Sequence, residues 1–184
     1  MAELPLLRRF PALAVLPRIS FGSFPTPVEH VAREDGRTLL LKRDDITGRV
    51  IGGNKVRGLE WLLGSVRSGD DVLTVGARGS THALTTAMLT SQLGARTTVV
   101  RWDQQMNPAA RVVDERLRAH ARVIDARAVP VAFLMAALLR TRRRTVWVPA
   151  GGATPLAALG NANAALELAE QIQRDECVLP EEVY

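Results

Sequence analysis

The 184-residue sequence predicts an α/β fold built on a parallel sheet, and three observations carry that prediction. Short apolar runs, at Asp71–Val75, Thr97–Trp102, Arg122–Asp125 and Thr145–Val148, alternate with longer stretches of helical periodicity. Helix starts between them pair a capping side chain with proline, at Asn107-Pro108 and Thr154-Pro155. Glycines stop the helices, at Gly69 and Gly94. Strands separated by crossover helices pair in parallel, because each helix returns the chain to the same end of the sheet.

In chain order, residues 1–36 are rich in proline, and Pro25-Thr26-Pro27 cannot sit inside a helix. This stretch reads as a wrapping segment that ends in a short helix, Val28–Arg33. Asp35-Gly36 is a turn into a strand at Thr38–Lys42. Gly52-Gly53 opens a helix over Lys55–Val66, with Leu59, Leu62, Leu63 and Val66 on one face. After the strand Asp71–Val75, Gly76–Gly79 turns and Ser80 starts a helix to Leu93. Further helices are expected from Asn107 to about Ala119, over Pro130–Arg140, and from Thr154 to about Arg174. Leu179–Tyr184 resembles the approach to another strand, so the fold reads as C-terminally incomplete.

Composition excludes several function classes. The net charge is +5 and the pI about 10.5, but the arginines are dispersed. The densest run, Arg140–Arg144, has no interleaved aromatics and reads as a solvated helix end, where cations suit the dipole. No nucleic-acid reading motif is present. Cys177 is the only cysteine, so neither a disulfide framework nor a cysteine metal cluster is available, and a reducing cytoplasm is the expected setting. The longest apolar run, Val129–Leu139, ends at Arg140 and is too short to cross a membrane.

One residue stands out chemically. The 24 Lys+Arg residues divide into 22 arginines and two lysines, Lys42 and Lys55. Arginine stays protonated, whereas lysine can lose its proton and form a Schiff base. Lys55 follows Gly52-Gly53-Asn54 at a helix mouth, where plain positive charge is unfavourable. Ligands of open α/β sheets bind at the carboxyl ends of strands, and three loops fit: Gly52–Lys55, Gly76–His82 and Ala150–Thr154. In the second, Ser80, Thr81 and His82 stand at a helix start suited to a carboxylate or phosphate, although one hydroxyl is also needed simply as a cap. His82 reads as a base or as a locally packed ring, the commoner role; His30 and His120 read as structural. Gly76-x-x-Gly79 is too short for a dinucleotide fingerprint. Asp103 alone keeps a nucleotide-binding oxidoreductase fragment as a remote alternative. Asp44 and Asp45 read as an ion-pair cluster with Lys42 as partner.

Lys42-Arg43-Asp44-Asp45 followed by Gly52-Gly53-Asn54-Lys55-x-Arg57-x-Leu59-Glu60 resembles the signature of the 1-aminocyclopropane-1-carboxylate deaminase and D-cysteine desulfhydrase family. Pro25-Thr26-Pro27, Gly79-Ser80-Thr81-His82, Gly151-Gly152-x-x-Pro155-x-x-x-x-Gly160 and Glu167-Leu168 agree in order. The resemblance implies a three-layer α/β sandwich of the tryptophan synthase β-like, fold type II, pyridoxal-phosphate enzymes. It implies that Lys55 forms the Schiff base with pyridoxal 5'-phosphate and later moves a substrate proton. Asn54 and Thr81 would lie against the cofactor. Ser80, Thr81 and His82 would hold the substrate carboxylate, with Ser80 also taking a catalytic part.

The pattern departs from the family twice. Thr81 stands where the family usually has asparagine, and the chain stops before the family's glycine-rich phosphate loop. The resemblance thus implies the front portion of a lyase or deaminase acting on a small amino acid, with a small mobile lobe at about 57–144. Its expected partners are a second copy or a complementing C-terminal half, with no nucleic acid and no membrane. The alternative is a truncated, non-catalytic fragment or half of a split enzyme acting as a binding or assembly module.

Overall fold

The computed structural model describes residues 3–48, 50–141 and 144–182. Arg142 and Arg143 of the basic run, and Val183 and Tyr184 of the expected strand approach, lie outside them. The chain opens with helix α1 (Pro5–Arg9) and a 3-10 turn at Pro11–Val15. A hairpin follows, β1 (Val28–Ala32) and β2 (Thr38–Lys42), paired antiparallel from Val28↔Lys42 to Ala32↔Thr38.

The hairpin corrects the expected helix at Val28–Arg33. A helix of six residues is too short to repay its nucleation. The Asp35-Gly36 turn places this segment opposite Thr38–Lys42, where its backbone groups find partners at once. Arg33 donates its N–H to Arg37 O at 2.9 Å, closing the loop.

A second sheet follows the predicted alternation: α2 (Lys55–Leu62), β3 (Asp71–Ala77), α3 (Thr81–Gln92), β4 (Arg96–Trp102), α4 (Pro108–His120), β5 (Arg122–Ala126), α5 (Val129–Leu139), β6 (Thr145–Val148) and α6 (Pro155–Gln173). All pairings in this sheet are parallel and the strand order is β5-β4-β3-β6. The chain therefore steps outward from β3 to β5, then crosses back to place β6 on the other side of β3. The reversal lies between β3 and β6.

Strand alternation sorts the helices into layers. Val72 and Val99 face α2, α3 and α4, packing with Leu59, Leu63, Leu89 and Leu117. Leu73, Val75 and Val100 face the opposite way, onto Ala132 and Ala136 of α5. α5 is apolar all round, so Leu134 and Leu138 on its outer side stay exposed. Arg101 is wholly buried on β4 and pairs with Asp114 of α4 and Asp125 of β5. No helix among the described residues is long and apolar enough to cross a membrane.

α6 does not cover the sheet; it lies along α2. Their approach depends on Gly160, where an added Cβ would stand 2.4 Å from the Arg57 carbonyl carbon and oxygen. A methyl there forces the helices apart. Gly160→Ala is expected to lower stability by about 1–3 kcal/mol, the usual cost of overpacking, measured by urea unfolding; an unchanged midpoint would mean that the contact yields freely.

Candidate active site

Lys55 is set in place by its loop before any side chain acts. The 3-10 turn at Asp44–Ile46 presents Asp44 O, which accepts from Gly53 N–H at 2.6 Å. Gly52 lies against Asp45, where a Cβ would come within 1.7 Å of the Asp45 carbonyl oxygen, and Gly53 takes φ 116°. Only glycine tolerates either requirement. α2 then starts at Lys55, with Asn54 before it.

Two residues into α2, Arg57 anchors the loop from inside. Its Nε and one terminal nitrogen donate to Asp44 Oδ2 and Oδ1, both at 2.7 Å. The terminal nitrogens also donate to Glu167 Oε1 and Oε2 of α6 at 3.0 Å, and to Thr26 Oγ1 at 2.9 Å. Burial by itself would lower the Arg57 pKa, but these hydrogen bonds outweigh it and hold the group above its ordinary value. The guanidinium also lies 4.5 Å from the Phe24 ring centroid.

Lys42 joins this network rather than the pair expected from sequence. Its Nζ donates to Thr26 O at 2.8 Å and Gln171 Oε1 at 3.0 Å, and lies 3.2 Å from Glu167 Oε2. Burial lowers its pKa, and Glu167 opposes the shift. The 3-10 turn splays the two aspartates apart, so Asp44 points inward to Arg57 while Asp45 pairs with Arg43 at 2.8 Å. Two cations and two carboxylates thus close a nearly neutral buried cluster. Glu167→Ala would leave Arg57 and Lys42 short of a counter-charge, costing about 3–5 kcal/mol in denaturant unfolding; a loss below about 1 kcal/mol would mean solvent reaches the cluster.

The sheet supplies the opposing wall. β3 and β6 are neighbours whose following loops lead into α3 and α6 at the strand-order reversal, the position where open α/β sheets form ligand crevices. Here a cavity of about 190 Å3 is lined by Asn54 and Lys55, by His82 of α3, and by Gly151–Thr154 and Asn161 at the start of α6. A larger cavity, about 660 Å3, opens at the other end of the sheet around Asp71, Arg96 and Arg122. That end gathers helix C-termini, where few backbone N–H groups face a ligand, so the smaller cavity is the candidate site.

Of the residues expected from sequence, Lys55, Asn54 and His82 share the cavity. Ser80 and Thr81 stand at the adjoining α3 N-terminus and do not line it. Ser80 caps that helix, its Oγ accepting from Ala83 N–H at 3.2 Å. The Thr81 and His82 N–H groups, in the first turn, have no acceptor among the described residues. Asn161 also lines the cavity, and the sequence signal for it is the spacing of seven from Thr154, which returns it to the same face of α6. Asp103, the remote nucleotide candidate, pairs with Arg78 at 3.0 Å.

His82 is buried, with Nε2 at 3.2 Å from Pro149 O after β6. Its pKa is pushed down to about 4, first by burial and then by the Lys55 charge, against the opposing Pro149 carbonyl. Nδ1 has no partner among the described residues.

The matches to known proteins fall on these same elements. A family model for pyridoxal-phosphate dependent enzymes matches residues 19–180. The chain belongs to that family. It is 36% identical over 172 residues to a Pyrococcus horikoshii protein named "Putative 1-aminocyclopropane-1-carboxylate deaminase", covering 88% of this chain and 53% of that one. A Pyrococcus abyssi protein of the same name is 32% identical over 179 residues, covering 92% and 52%. Among solved structures, an ACC deaminase homologue superposes with a TM-score of 0.74 at 31% identity, covering 92% of this chain and 55% of that one. A threonine deaminase from T.th. gives 0.62 at 25% identity, covering 96% and 53%. The fold is accordingly that of the fold type II enzymes, and the chain spans about half the length of the relatives it matches.

A depressed histidine pKa is also a stability statement. The folded value lies below the unfolded one, so the contribution is complete above about pH 6.5 and is lost as pH falls toward 4. The native chain should therefore lose up to about 3 kcal/mol across that window relative to His82→Gln. Urea unfolding of both at several pH values checks this, and parallel pH profiles would refute it.

Proposed function

We propose that this chain is the lysine-bearing part of a pyridoxal-phosphate-dependent lyase or deaminase acting on a small amino acid, of the kind named for its Pyrococcus relatives. The supporting observation is the convergence of Lys55, Asn54 and His82 on one cavity at the reversal of the sheet. The site suits the cofactor in what it offers: a primary amine held at a helix mouth by Gly53 and Arg57, and a neighbouring helix start whose first N–H groups have no acceptor among the described residues. When bound, pyridoxal phosphate supplies an electron sink for charge developing on the substrate α-carbon.

The chain's own residues then divide the work. Lys55, the one amine lining the cavity, would hold the cofactor through Nζ and would serve as the base for the substrate α-proton. Asn54, on the cavity wall, and Thr81, at the adjoining α3 N-terminus, would flank the cofactor. The first-turn N–H groups of Thr81 and His82, with the free Ser80 O–H proton, bind the substrate carboxylate, since a helix N-terminus favours an anion. Ser80 Oγ, already accepting from Ala83, would take its catalytic part through that same O–H, as a hydrogen-bond donor to the substrate. Residues 57–144 form the small lobe that moves to exclude water, and the working protein is cytoplasmic and assembled with a second copy or with a complementing half.

A second reading is favoured by the exposed apolar side chains of α5 and of the hairpin, Leu134, Leu138, Leu39 and Leu41. On it the chain is a binding or assembly module that docks through these faces without catalysis.

With only two lysines, the test is clean. Adding pyridoxal phosphate to the purified chain should produce a visible absorbance band, and borohydride reduction should fix the adduct to the Lys55 peptide by mass spectrometry. Lys55→Ala should abolish both. An adduct on Lys42, or none with or without a complementing half, would leave the module reading.

A further inference from the structure

We propose that His82 serves the Lys55 cavity as a fixed hydrogen-bond acceptor, its Nδ1 taking a hydroxyl or ammonium group of the bound amino acid. The inference rests on the reading of this cavity as the substrate site, and refines the part His82 has in it.

The argument begins with Pro149. A carbonyl oxygen can only accept, so the contact between Nε2 and Pro149 O at 3.2 Å puts the hydrogen on Nε2. In the neutral ring Nδ1 is then a bare lone pair. The doubly protonated ring would instead be a buried cation beside Lys55, which burial and that lysine both oppose. A lone pair and a carboxylate oxygen are both acceptors and cannot bond to each other. The carboxylate belongs to the N–H groups of the α3 first turn, and Nδ1 calls for a donor.

Among the described residues none supplies that donor. Nδ1 is buried and unpaired among the described residues, and a buried acceptor left so costs about 1–3 kcal/mol. What covers it is a turn of glycines. Gly152, at φ 72°, lies so close that a Cβ would stand 3.1 Å from His82 Cε1 and 3.7 Å from Nδ1. Gly151, at φ 65°, has nothing within 4 Å of its Cβ position. This turn puts no side chain beside the ring, and Gly151, Gly152 and His82 all line the one cavity. A substrate bearing a second donor beyond its carboxylate fits that arrangement, and a simple carboxylate does not.

Nitrogen-15 NMR of the histidine-labelled full chain tests the inference, with the His82 signals assigned by their loss in His82→Gln. At pH 7 the ring should be neutral, with hydrogen on Nε2 and none on Nδ1; hydrogen on Nδ1 would overturn the proposal. Propionate, lactate and alanine are then titrated, each with and without pyridoxal phosphate. Lactate or alanine should shift the Nδ1 signal and bind about tenfold more tightly than propionate, and which of the two does so identifies the donor. An equal response to propionate, or a response to none, overturns it. The borohydride adduct on Lys55 is scored separately. An adduct with a wrongly protonated His82 sinks only this inference, and the converse sinks only the cofactor reading.

Discussion

The buried guanidinium of Arg57 is the contact on which the rest of the site depends. It binds two carboxylates in fork geometry, Asp44 from the exit of the hairpin and Glu167 from the middle of α6. With Thr26, which also accepts from it, three separate pieces of chain are thereby tied to the first turn of one helix. Lys55 is two residues away on that same turn, so its direction is set by a charge cluster rather than by its own side chain. Such clusters stabilise little in net terms, because desolvation offsets attraction. Their effect is directional: every partner must be present, and only one arrangement satisfies them all.

The second constraint is topological. A parallel sheet that reverses its order leaves two adjacent loops diverging from β3 and β6, and each loop leads to a helix N-terminus. His82, in the first turn of α3, and Pro149, in the loop after β6, meet across the gap. Lys55 reaches the same place by another route, because α2 lies on the α3 side of the sheet and α6 braces it from outside. Gly160 permits that bracing by allowing α6 to rest on the backbone of α2. The cavity thus lies beside three helix starts, and none of its lining residues is a carboxylate.

Much of this was legible beforehand. The alternation of strands and helices, the caps at Asn107 and Thr154, and the start of α2 at Lys55 agree with the structure, since each is a local signal within a few residues, while α2 stops at Leu62 rather than Val66. Val28–Arg33 did not, because a short polar segment takes its form from whatever lies opposite, and Thr38–Lys42 lies opposite. Lys42 shares a charge cluster with Asp44 as the sequence suggests, but its contacting carboxylate is Glu167, because charges pair by distance in space and the turn after β2 sends Asp44 and Asp45 in opposite directions.

By itself, the sequence determined the chemistry available. A lysine kept among arginines beside two glycines, a hydroxyl-rich helix start and a family signature are properties of residue type and spacing. Only the tertiary structure decided how these are used. It separated Ser80 and Thr81 from the cavity wall and placed His82 on it. It also gave that ring a single carbonyl partner, leaving one nitrogen unbonded. Those outcomes depend on which loops a parallel sheet brings together at its reversal, and no local pattern encodes a contact between residues 82 and 149.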